Sequence, residues 1–347
     1  MISQGTPMDK MLEEEVHERL PDEGNERPPD PDARTGDGGA GASPSEPKGG
    51  EKAPEEEPDL RERVEKKLYK FIRYFFPAAV PLLIYVGIVL ASLLVGSLVL
   101  NNGMPIRKFM KEMTNVYAAI GVVITFHVLW KRSKKTGSTF FEDATLYRKD
   151  LSLKKTLSIV GFGIGTAFAL SALISLLPKV GLITTYETHV ENIYQRWSVF
   201  LSIIFNTFFT PLVEEVVFRG YMLNGLMQHF EERHALLMTT IVFSLMHGTA
   251  IWILYAFAMG WIIGRVSIWE DNIFYAIMLH IGFNLPSALM WYLYLKVDGV
   301  KEALDQNRSY VFLIGLCGAL MAWGCASLYL KTRKPGAGML FGFNRKV

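Results

Sequence analysis

Long apolar runs recur between residues 75 and 330, and they limit the fold more than any other feature of the chain. A run of about 20 residues matches the hydrocarbon core of a bilayer, because a helix rises about 1.5 Å per residue. In hydrocarbon every backbone N–H and C=O must be satisfied within the protein, so a spanning structure is a helix or a closed barrel. The short alternating segments of a barrel are absent. The expected fold class is all-α: a polytopic membrane helix bundle with spans at 75–100, 113–130, 156–177, 197–213, 235–250, 252–268, 273–295 and 311–330. These are eight in all. The division inside 235–268 falls near Gly248, since about 34 residues make one helix too long for a bilayer.

Half of the residues are hydrophobic, but they are unevenly placed. Residues 1–70 are acidic and rich in Pro and Gly, with stretches such as Pro28-Pro-Asp-Pro31 and Gly36-Asp-Gly-Gly-Ala-Gly41. Such a segment buries too little apolar area to offset the entropy of ordering it, and a disordered tail is expected. Its juxtamembrane end, 60–73, reads as a basic helical lead-in carrying Arg61, Arg63, Lys66, Lys67, Lys70 and Arg73. Residues 71–331 form the expected transmembrane domain, and 332–347 a short basic tail. The acidic N-terminus lacks the apolar core of a cleavable signal.

Lysine and arginine favour the cytoplasmic side. Loop 131–155 is strongly basic, loop 178–196 carries only Lys179 and Arg196, and the C-terminal tail is basic again. This pattern places both termini in the cytoplasm, in a multi-pass protein of the cell membrane. Loop 101–112, with Arg107, Lys108 and Lys111, fits it less well. No basic patch with interleaved aromatics points to nucleic acid. Cys317 and Cys325 are eight residues apart in one apolar run, about 12 Å along a helix, which is too far for a disulfide. They read as helix-packing residues.

Three polar stretches interrupt the apolar runs. The first is Glu214-Glu215-Val-Val-Phe-Arg219, the second Phe243-Ser-Leu-Met-His247, the third His280-Ile-Gly-Phe-Asn284. Ionisable groups at bilayer depth are costly and usually functional. On a helix Glu215 and Arg219 share a face at i, i+4 and can pair. Glu214 is turned about 100° away, which leaves it as a candidate general base. His280 and Asn284 are also i, i+4, and both can donate toward an oxyanion. Pro286 follows closely and can kink their helix. Each stretch also has a plainer reading: a charged helix end, or polar residues joining helices. His127, beside Trp130, reads as interfacial. Asn206, two turns before Glu214, can line the same cavity. His229 and His234 lie in a polar connection, and Gly260 and Gly264 suit close helix packing.

Glu-Glu-x-x-x-Arg, Phe-x-x-x-His and His-x-x-x-Asn, in this order and spacing, resemble the CPBP family of CAAX-processing (Rce1-type) and bacteriocin-processing intramembrane endopeptidases. Pro211 and Gly220 agree with the same pattern. The motif-bearing resemblance covers roughly 195–295, and the first 70 residues lie outside it. The resemblance implies that Glu214 activates the attacking water and that His247 positions or protonates. It further implies that His280 and Asn284 form an oxyanion hole, while Glu215, Arg219 and Phe243 support the site. It implies a membrane-associated peptide or protein substrate within the bilayer and no cofactor. The older description of the family is as metalloproteases. There is no His-Glu-x-x-His here, but Glu214, His247 and His280 are a donor set that zinc could use. Two other readings compete: a non-catalytic scaffold or bacteriocin-immunity-type protein, and a proton-coupled transporter, against which stands the lack of an internal repeat.

Overall fold

The computed structural model describes residues 60–99, 106–137, 139–146, 151–177, 181, 183, 188 and 203–332. The tail reading for 1–59, most of the charge reading for loop 178–196, the start of the span at 197–213 and the C-terminal tail lie outside the described residues. Among the described residues the protein is helical, with no strand.

Helix α1 runs Leu60–Val99, α2 Ile106–Thr136, α3 Phe140–Asp143 and α4 Leu153–Leu176. One continuous helical stretch, the motif helix, follows. It is built from a π-helical turn at Phe205–Phe209, α5 at Thr210–Glu215, a second π stretch at Val216–Leu223 and α6 at Asn224–Met227. Then come α7 Glu232–Leu245, α8 Ala250–Glu270, α9 Ile273–Lys296, α10 Val300–Gln306 and α11 Arg308–Thr332.

Five of these helices are long and apolar enough to cross a membrane: α1, α4, α8, α9 and α11. A helical membrane bundle is thus borne out, while the described residues do not confirm the count of eight spans. Helix α7 has 14 residues, about 21 Å of rise against a hydrocarbon core of about 30 Å. The break near Gly248 is present. The chain turns at 246–249, where Gly248 has φ +85°, a conformation in which a β-carbon is strained. Helix α1 has 40 residues and includes Pro77 and Pro81. The basic lead-in is therefore one helix with the first span, because hydropathy marks the membrane depth and not the helix end. The short helices α3 and α10 carry no long periodic signal and were not foreseen. Thr139 caps α3 with Glu142 in a reciprocal capping box. The Thr139 backbone N–H, then its hydroxyl, holds the Glu142 carboxyl below the usual range.

Side-chain contacts sort the helix ends into two groups. At one end Asn224 donates to Thr145 Oγ1 at 3.1 Å, and Ile273 N–H to the Thr145 carbonyl at 3.1 Å. Lys155 pairs with Glu270, which also accepts from Tyr329 Oη at 2.9 Å. Tyr74 stacks on His229 with centroids 3.8 Å apart. At the other end Arg308 donates to the Leu176 carbonyl. The start of α1 and the end of α11 therefore share one end of the bundle.

Small residues let the helices approach closely, the usual device where lipid provides no hydrophobic drive. A β-carbon at Gly163 would stand 2.6 Å from the Leu279 carbonyl oxygen, and one at Gly282 2.5 Å from that of Val160. This close approach fixes α4 against α9, the helix that carries His280. Cys325 packs on Gly161, as expected of a packing residue, whereas Cys317 is exposed. Gly260 and Gly264 do serve packing: their α-carbons face Phe243 and Leu236.

Candidate active site

The motif helix supplies the two carboxylates from its short α5 turn, flanked by the π stretches. π turns recur at functional sites because the wider coil re-aims side chains. Here the step from Glu214 to Glu215 sends adjacent carboxyls to different places. Glu215 is fully buried, while the Glu214 side chain keeps 27% of its surface exposed.

Glu215 Oε1 accepts from Arg219 NH1 at 3.0 Å and from His280 Nδ1 at 2.8 Å. The pairing of Glu215 with Arg219 is the one foreseen from i, i+4 spacing. Arg219 reaches on to α8, donating from NH2 to the Gly260 carbonyl at 2.9 Å. Its guanidinium also lies over the Phe243 ring of α7, 4.4 Å from the centroid. Phe218 meets the same ring edge-on at 5.2 Å. One buried arginine thus ties the motif helix to α7 and α8, and Glu215 ties it to α9. Removing one member of such a buried pair leaves the other charge uncompensated, at about 3–5 kcal/mol.

His280 stands between the two glutamates. Its Nδ1 faces Glu215, and its Nε2 is 3.8 Å from Glu214 Oε2. A carboxylate only accepts, so Nδ1 carries a proton and donates it to Glu215. The ring orientation is then fixed, with Nε2 turned to Glu214 and the half-open side of the site.

His247 caps the end of α7. Its Nδ1 lies 2.9 Å from the Phe243 carbonyl, and its ring meets Phe243 at 4.8 Å and Trp252 at 5.2 Å, both edge-on. It sits within electrostatic reach of Glu214 and His280. Asn284 donates from Nδ2 to the backbone carbonyl of Asn206, at 2.9 Å. One His280 nitrogen and one Asn284 amide hydrogen are therefore spent on the scaffold. His280 Nε2 and the second Asn284 amide hydrogen are left for chemistry. Asn206 joins the site as foreseen in place, but through its main chain.

Two contacts had no signal in the sequence. The His280–Glu215 bond spans 65 residues and depends on how α9 crosses the motif helix. Trp252 reaches His247 around the turn at Gly248, where helical spacing no longer applies. The remaining polar candidates stay outside the site. His127 is exposed beside Trp130, His229 is exposed in the α6–α7 connection, and His234 is exposed in the first turn of α7. As for a metal, among the described residues no group of three or more His, Cys, Asp or Glu is arranged to hold one. Glu214 and His280 meet, but His247 does not complete a three-donor set with them.

Residues 196–286 match the family model described as type II CAAX prenyl endopeptidase Rce1-like. The match is about a quarter of the chain, and it contains Glu214, Glu215, Arg219, Phe243, His247, His280 and Asn284. No curated protein and no solved structure matches the chain. The apolar helices and this match together describe an integral membrane protein with a protease-type core at the family level. Motif order and the family match together bear out the chain's resemblance to the CPBP family, in its Rce1-like core.

Proposed function

We propose that the protein is an intramembrane endopeptidase that hydrolyses a peptide bond through glutamate-activated water. The observation that carries this reading is the division of labour between adjacent carboxylates. Glu215 is buried and committed to Arg219 and His280, while Glu214 is half-open and faces His280 Nε2.

In the proposed reaction Glu214 takes a proton from water as the oxygen attacks the substrate carbonyl carbon. The C–O bond forms, and the carbonyl electrons move to oxygen. In this proposal His280 is an imidazolium with a proton on each ring nitrogen, and its Nε2–H and the second amide hydrogen of Asn284 stabilise that oxyanion. His247, held by the Phe243 carbonyl, orients the water or the leaving group. The oxyanion then collapses, the C–N bond breaks, and the proton held on Glu214 passes to the leaving amine. No protein group changes its net protonation over the cycle.

The substrate class that fits is a membrane-associated peptide or protein. One end of the bundle carries Lys155, Arg233 and the basic lead-in. By the positive-inside rule this end is cytoplasmic, which puts both chain termini in the cytoplasm of the cell. The test is proteomics of membranes holding the wild-type or the Glu214→Gln protein, with and without a zinc chelator. Cleavage products that depend on Glu214 and resist the chelator are expected. Products that persist in Glu214→Gln would refute the reading, and products lost only to the chelator would favour the zinc route. No Glu214-dependent product at all would favour a non-catalytic scaffold.

A further inference from the structure

The carbonyl that anchors Asn284 belongs to a helical stretch whose own N–H for it is missing. In the π turn Phe205–Phe209 the backbone bonds run from residue i+5 to residue i, and Thr210 N–H donates to the Phe205 carbonyl. The next bond of that kind would run from residue 211 to Asn206. Residue 211 is proline, at the first turn of α5. Proline has no N–H, and helices tolerate it near their first turn for that reason. The Asn206 carbonyl accepts instead from Asn284 Nδ2, reaching across from α9 at 2.9 Å.

We propose that Pro211 is a positioning residue for the oxyanion donor. By withholding a backbone N–H it reserves the Asn206 carbonyl for the Asn284 side chain. A free asparagine amide turns broadly about its last torsion. Its carboxamide is planar, so anchoring one Nδ2 hydrogen fixes the direction of the other. The proline thereby converts a loose donor into an aimed one, and the π turn brings the Asn206 carbonyl to the α9 side. The catalytic part of this inference rests on the peptidase reading, in which Asn284 donates to the oxyanion. The coupling between Pro211 and Asn284 does not.

The experiment is a double-mutant cycle on the purified full chain: Pro211→Ala, Asn284→Ala and the pair, in proteoliposomes. Alanine is the stronger helix former, so the motif helix is retained. In thermal unfolding, Asn284→Ala removes the side-chain bond to the Asn206 carbonyl and lowers Tm by about 5 °C in the parent. In the Pro211→Ala background the alanine N–H takes that carbonyl, and the same change lowers Tm by less than half as much. Additive Tm shifts would overturn the coupling. In cleavage, Pro211→Ala is expected to lower kcat about tenfold with KM unchanged, as for loss of an interaction made in the transition state. It is expected to cost nothing further once Asn284 is alanine. Unchanged kcat in Pro211→Ala would overturn the positioning role. If the wild-type protein cleaves nothing, the catalytic role falls with the peptidase reading, and the Tm cycle still decides the coupling.

Discussion

His280 Nδ1 lies 2.8 Å from Glu215 Oε1, so the second glutamate of the pair orients the histidine that faces the first. The two carboxylates are joined through one imidazole ring. Glu215 sets the ring, and Glu214 receives its other edge.

This relationship separates the two glutamates by experiment. Glu215→Ala leaves Arg219 and His280 buried without their acceptor and should cost about 3–5 kcal/mol of stability. Glu214→Gln leaves that network intact and should unfold at nearly the wild-type temperature. Its cleavage rate should fall by about 10²–10⁴-fold for loss of the general base. Thermal melts and initial cleavage rates on the same preparations check both.

Arg219 depends on Gly260. A β-carbon there would lie 2.8 Å from Phe243 Cδ1 and 3.4 Å from Arg219 NH2. Gly260→Ala is therefore expected to push Phe243 off the guanidinium and strain the bond to the Gly260 carbonyl. Overpacking of this kind costs about 1–3 kcal/mol. Cleavage should fall with it, since the motif helix is held by the same arginine. Denaturation midpoints read against Gly87→Ala give the control, because nothing lies within 4 Å of a β-carbon at Gly87.

The seam between α4 and α9 should transmit strain to His280. Gly163→Ala puts a β-carbon against the Leu279 carbonyl and the Phe283 amide, at 2.6 and 2.9 Å. Backbone cannot yield as a side chain does, so α9 must shift. The expected result is lower stability by about 1–3 kcal/mol together with reduced kcat. Kinetics and melting of Gly163→Ala check it, and wild-type kcat in that variant would show that α9 does not move His280.

Glu142 should give one part of the acid sensitivity. Its carboxyl is held low in the folded protein by Thr139. A depressed carboxyl contributes stability above its unfolded pKa and loses it as pH falls through the folded one. Melting temperature should therefore drop below the ordinary glutamate range near about 4.3. Part of that drop should be missing in Glu142→Gln, which keeps the capping box but does not titrate. A pH series of melts on both proteins is the measurement.

Much of the site was legible in residue spacing. The Glu215–Arg219 pair lies on one helix at i, i+4, a distance the backbone itself sets, and the structure has that bond. The packing role of Gly260 and the break at Gly248 were readable for the same local reason. The span count is not settled by hydropathy, which reports apolar length and is blind to a helix such as α7, which ends after 14 residues. The order of the motifs and their apolar setting also came from the chain alone.

Only the tertiary structure decided what each polar group touches. His280 and Asn284 share a helix face, which suggests one common target, yet each spends a donor on a different partner of the motif helix. Those partners, a buried carboxylate and a backbone carbonyl beside Pro211, are fixed by where α9 crosses the motif helix. That crossing is set by small residues such as Gly163 and Gly282 packing backbone on backbone. Local spacing determines which side chains can act together along one helix. Which groups meet across helices follows from how closely the helices pack.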